Sequence, residues 1–140
     1  MTPITLNYEV SGTDFTRAGE ASSAIKNKLK QIGIAPNVVR NVAIATYEGE
    51  INCVIHGGGG KVDVTIDSQK ITIVISDTGK GIPDISLAMQ EGYTTAPDDI
   101  RSLGFGAGMG LPNMKKYSDN IDVQSEVGKG TTVTMEFNLS

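Results

Sequence analysis

Glu48 and Asn52 stand four residues apart in a stretch with helical apolar spacing, so both side chains leave one face of the helix. An Asn carbonyl oxygen is a hard ligand suited to Mg²⁺, and a Glu one turn away can accept a proton from an attacking hydroxyl. A solvated helix face would look the same from these two residues alone. His56 continues the row and also fits a helix-terminal position near the negative end of the dipole. Glu50 points to another part of the wheel and is assigned no role. Downstream, Asp77 closes the apolar run Ile71 to Ile75. A carboxylate there can accept a hydrogen bond from an exocyclic amine such as adenine N6. Gly79 and Gly81 would let the backbone approach a flat base, although Asp77-Thr78-Gly79 also reads as a plain turn. The run Gly104 to Gly110, with Gly106, Gly108 and Gly110 alternating, leads into Leu111 to Lys116. Amides at a glycine-rich helix start can hold phosphate, although the run also reads as a flexible hinge. No Gly-Lys-Ser/Thr follows, and no strand leads into the glycines, which excludes a P-loop and a Rossmann fingerprint. The set suggests an ATP site with a different wrapping.

The elements that must position these groups follow from periodicity. Ile4 to Val10 alternates as a strand. Thr13 or Asp14 can cap a helix to about Ile32, with Phe15, Ala18, Ala21, Ile25, Leu29 and Ile32 on one stripe and Gly33 at its end. Pro36 suits the first turn of a second, largely apolar helix that Gly57 to Gly60 ends. Lys61 to Asp67 and Lys70 to Ser76 form a hairpin, as do Asn120 to Ser125 and Thr131 to Asn138. Between them, residues 78–106 are rich in Gly, Pro, Asp, Thr and Ser, with one helical patch near Ile85 to Gln90; a connection this long inside a domain is usually functional. Helix resumes near Ala107. The order β-α-α-β-β-loop-α-β-β predicts an α+β two-layer sandwich: a mostly antiparallel mixed sheet with helices on one face.

Bulk properties narrow the setting. The 140 residues are expected to form one domain, 1–140, and a net charge of −4 argues against general nucleic-acid or anionic-membrane binding. No apolar run approaches the ~20 residues of a membrane helix, and no signal peptide is visible. Cys53, the one cysteine, sits in an apolar stretch and reads as a buried structural thiol, which fits the reducing cytoplasm.

Taken in order, Glu48-x-x-x-Asn52, Asp77-x-Gly79-x-Gly81, Gly106-x-Gly108-x-Gly110 and Gly130-Thr131 resemble the four boxes of the GHKL ATPase superfamily, the Bergerat ATP-binding fold. The resemblance covers roughly residues 36 to 138. It implies that Asn52 coordinates Mg²⁺, that Asp77 hydrogen-bonds adenine, and that Gly79 and Gly81 shape the base pocket. It further implies a lid over about 82–105, Gly106 to Gly110 amides on phosphate, and Thr131 beside the adenine. Periodicity alone makes Thr131 only a strand start.

Within the superfamily the chain looks most like the small bacterial anti-sigma-factor serine/threonine kinases. The length is that of a stand-alone module, and the first strand and helix directly precede the Asn box. The resemblance implies that Glu48 is the base towards a serine on a small antagonist (anti-anti-sigma) protein. It also implies a sigma factor as second partner, no direct nucleic-acid or membrane contact, and homodimerisation through the first strand and helix. Arg101, in the lid, is a further candidate γ-phosphate contact. Two other readings stay open: an ATP-sensing binding module without turnover, and the catalytic domain of a histidine kinase, which the complete first strand and helix argue against.

Overall fold

The computed structural model describes residues 3–11, 17–56, 58–79 and 110–139. Five strands, β1 (Ile4–Ser11), β2 (Gly59–Ile66), β3 (Lys70–Asp77), β4 (Asn120–Glu126) and β5 (Gly130–Asn138), form one sheet in the order β1-β2-β3-β5-β4. Among the described residues three helices accompany them: α1 (Glu20–Gln31), α2 (Pro36–His56) and α3 (Gly110–Tyr117). This is the expected two-layer α+β arrangement. Each pairing among the described strands is antiparallel, so the sheet they form is antiparallel rather than mixed.

Strict alternation puts one face of each strand inside. Register then aligns the inward residues into rows across the sheet. One row runs Leu6, Val64, Ile73, Met135, Ile121, and the next runs Tyr8, Val62, Ile75, Val133, Val123. The central members of both rows are buried. Cross-strand aliphatic packing of this kind stabilises a sheet in a chain without Trp. The opposite face carries Thr65, Thr72, Thr132 and Thr134, with Lys61, Asp63 and Glu136 among them.

The β2–β3 turn forms as expected. The Asp67 carboxylate accepts from the Gln69 and Lys70 amides at 2.7 and 2.9 Å, an Asx-type closure. These two bonds hold the Asp67 carboxyl below its ordinary range.

α2 packs against both other helices and against the sheet. It buries Val39, Val42, Ala45, Ile51, Cys53 and Val54. α1 buries Ala21, Ile25 and Leu29, and ends as expected, with Gly33 at φ 83° just beyond it.

α1 does not begin at Thr13 or Asp14. Its first residue is Glu20, and Gly19 precedes it in the left-handed region at φ 98°. That conformation breaks any helix arriving from upstream, so Ala18 lies outside it. Phe15 lies outside the described residues. Gly19 has no side chain with which to cap the helix. The cap comes from α2: Glu50, 2% exposed, accepts from the backbone N–H groups of Gly19, Ala21 and Ser22 at 2.9, 3.1 and 3.1 Å. A buried carboxylate is tolerable only when its lone pairs are filled, and the positive end of a helix fills them.

Candidate functional site

Gly49 is the point where the helical layer meets the sheet closest to the acid/amide pair. A Cβ there would lie 2.3 Å from Ile75 Cδ1 and 3.2 Å from Met114 Sδ. The missing side chain therefore lets α2 settle onto β3 and α3 at once. Glu48 precedes this contact and Asn52 lies one turn further on; both are half-buried.

Glu48 faces α3. Asn113, in the first turn of that helix, donates from Nδ2 to Glu48 Oε1 at 3.2 Å. The two half-buried side chains thus join the expected base to the helix that leaves the second glycine cluster.

Asp77 is the last residue of β3. Its Oδ1 accepts from the Gly79 amide at 2.9 Å and from the Thr131 amide at 3.3 Å. The first bond makes the Asp-Thr-Gly turn, and the second ties it to the start of β5. Gly130 makes this approach possible. It sits at φ 117°, and a Cβ on it would fall 2.1 Å from the Asp77 carbonyl oxygen. Thr131 Oγ1 pairs with Ser125 Oγ at 2.8 Å, which binds the corner to β4 as well.

Cys53 reports how α2 and this corner relate. Its thiol is pushed up to about 12, chiefly by burial, then by the negative charges of Asp77 and Glu50. The residue next to Asn52 therefore lies within the field of the Asp77 carboxylate. The thiol is buried, as its apolar surroundings imply. Tyr47, on the other side of Glu48, is also raised, by partial burial first and then by Glu48 and Glu50.

Glu48, Asn52, Asp77, Gly79 and Thr131 are thus carried by elements that meet at one end of the sheet. α3 runs from Gly110, and the expected start near Ala107 lies outside the described residues. Gly81, Gly106, Gly108, Arg101, the helical patch at 85–90 and the 82–105 lid lie outside the described residues. His56 is the last residue of α2. Two polar side chains escape the reading by residue type. Asn113 has no partner visible in sequence, because the contact joins residues far apart in the chain. Glu50 does leave a signal: an acid between Gly49 and Ile51 on an apolar helix needs a buried partner.

Among the described residues no helix is long and apolar enough to cross a membrane.

Comparison with known proteins gives a consistent picture. Residues 34–140 match the family described as histidine kinase-, DNA gyrase B- and HSP90-like ATPase. An anti-sigma F factor of Thermoanaerobacter sp. (strain X514) is 39% identical over 102 residues, covering 69% of this chain and 68% of the relative. An anti-sigma F factor of Clostridium botulinum (strain Eklund 17B / Type B) is 36% identical over 127 residues, 85% of each chain. In fold, the chain resembles the RsbU and RsbW domains of a Mycobacterium tuberculosis protein, with TM-score 0.66 and 15% identity over 99% of this chain and 33% of that one. It also resembles the mycobacterial sensor histidine kinase MprB, with TM-score 0.55 and 19% identity over 95% of this chain and 97% of that one.

Proposed function

The chain belongs to the histidine kinase-, DNA gyrase B- and HSP90-like ATPase family, and from that premise we propose that it is an ATP-dependent serine/threonine protein kinase acting as an anti-sigma factor. Its partners are a sigma factor and a small antagonist protein that carries the acceptor serine. The observation that carries this reading is the junction at Gly49. There Gly49, between Glu48 and Asn52 on α2, packs against Ile75 of β3, two residues before Asp77, whose Oδ1 accepts from the Thr131 amide; this supports a site shared by the two elements. The names of the anti-sigma F factor relatives support the regulatory role.

In this reading Asp77 accepts from the adenine amine, while Gly79, Gly81 and Thr131 border the base. The Gly106, Gly108 and Gly110 amides meet the phosphates. Among the described residues no group of three or more His, Cys, Asp or Glu is placed to hold a metal. Mg²⁺ commonly takes one or two protein oxygens and completes its shell with phosphate and water. Asn52 would supply the protein oxygen, and the ion would neutralise charge on the phosphates. Glu48 accepts the proton of the antagonist's serine hydroxyl as that oxygen bonds to the γ-phosphorus. The bond to the β-phosphate oxygen breaks in line, and ADP leaves. β1 lies at a sheet edge, which supports homodimerisation through β1 and α1. The protein works in the cytoplasm.

Incubation with Mg-[γ-³²P]ATP and candidate antagonist proteins tests the reading. Label should appear on one antagonist's serine. Glu48→Ala should abolish it, a loss of about 10²-fold or more, while nucleotide still binds. Unchanged labelling by Glu48→Ala removes the base assignment. Tight ATP binding with no transfer to any antagonist would make the protein a nucleotide sensor.

A further inference from the structure

We infer that Asn113 is a positioning residue for Glu48, so that the orientation of the base depends on the seating of α3. The inference rests on the kinase reading above and adds to it a second residue and a means of control.

A carboxylate has two oxygens. Asn113 Nδ2 donates to Oε1 at 3.2 Å, so this bond engages one oxygen and does not use Oε2, which can take a proton. A Glu has three rotatable bonds, and a half-buried one without a partner samples several rotamers. One directional bond from a neighbouring helix selects among them. An amide suits this task. It donates without adding charge, so it orients the carboxylate without competing with the cationic groups that phosphate attracts.

The placement of Asn113 gives the bond a second consequence. It lies in the first turn of α3, three residues after Gly110, the last glycine of the second cluster. Met114, its neighbour, is fully buried and touches the Gly49 position of α2. A shift or rotation of α3 would therefore move Asn113 relative to Glu48, while Met114 resists that shift through the core. Whatever seats the amino end of α3 therefore also sets the base. The Lys115 and Lys116 side chains that follow are exposed.

Two measurements test this. The first needs no activity: the side-chain amide resonances of Asn113 in a ¹⁵N-labelled protein. Glu48→Ala should move those resonances clearly, and peaks that stay in place would overturn the pairing. The second is a double-variant cycle on phosphoryl transfer. Asn113→Leu should lower the transfer rate about 10-fold with nucleotide affinity within about twofold of wild type, since the lost bond is made to a charged group. Asn113→Asp, of the same size but without a donor, should lose at least as much. In the Glu48→Ala background, Asn113→Leu should cost nothing further. An equal additional loss there would make Asn113 structural rather than positioning. A wild-type protein that transfers no phosphate would sink the kinase reading, and the amide resonances would still decide whether Asn113 holds Glu48.

Discussion

Removing the Glu50 carboxylate should cost far more than an ordinary helix cap. A side-chain N-cap is worth about 1 kcal/mol, because it satisfies one N–H at a surface that water can also reach. Glu50 is 2% exposed and holds three amides, those of Gly19, Ala21 and Ser22. Each bond to an ionised acceptor contributes about 1.5–3 kcal/mol, and the three share one carboxylate, so they are not additive. Fraying of the first turn of α1 would rehydrate some of the amides in the variant. These considerations place Glu50→Ala at about 3–5 kcal/mol. Glu50→Gln keeps the shape and one acceptor oxygen, and should cost about 1–2 kcal/mol. Equilibrium urea unfolding gives both values, and amide hydrogen exchange locates the damage. Exchange at Gly19, Ala21 and Ser22 should accelerate in both variants ahead of the rest of α1. A loss below about 1 kcal/mol for Glu50→Ala, or unchanged protection at those amides, would refute the idea that α2 caps α1.

Other outcomes follow from the same geometry. Gly130→Ala combines a left-handed backbone with a Cβ placed 2.1 Å from the Asp77 carbonyl, and should destabilise by about 3 kcal/mol or more in thermal unfolding while loosening the Asp77 corner. Cys53 should resist iodoacetamide at pH 8 in the folded protein and react once urea is added, since its thiol is pushed up to about 12. The same thiol bears on stability. The folded state keeps the proton that an unfolded thiol, with its ordinary value of 9.0, gives up. Its contribution is therefore fully present below pH 9 and is lost as pH rises towards 12, at up to about 1.4 kcal/mol per pH unit. Comparing urea midpoints at pH 8 and pH 10 measures this, and Cys53→Ala should flatten the difference.

Much of the architecture is legible in the chain because local rules and tertiary packing agree there. The strands alternate cleanly, and Asp67 announces its own turn. The β-α-α-β-β order then leaves few ways to cover the sheet. The start of α1 is not legible, because a positive φ at Gly19 and a cap supplied from Glu50 are tertiary facts. Local propensity alone favours Thr13 or Asp14 as the cap. The site divides in the same way. Glu48 and Asn52 stand out by helical spacing, and Asp77 by its place at a strand end. Asn113 does not, since a lone amide in a helix gains meaning only from what faces it. Thr131 needs the β3–β5 register before its amide can be seen to reach Asp77.

The seam between β3 and β5 also bears on how the protein is made. Each hairpin can zip from its own turn, but the seam pairs Ser76 with Thr132, residues far apart in the chain. The Asp77–Thr131 contact lies at the end of that seam, so it forms only after β5 has docked. On the ribosome, a chain that has not yet released its last strand would hold both β2 and β3 and still lack this corner. Completion of the sheet and completion of the site are thus one event, late in folding. A truncation that removes β5 should remove the site along with it.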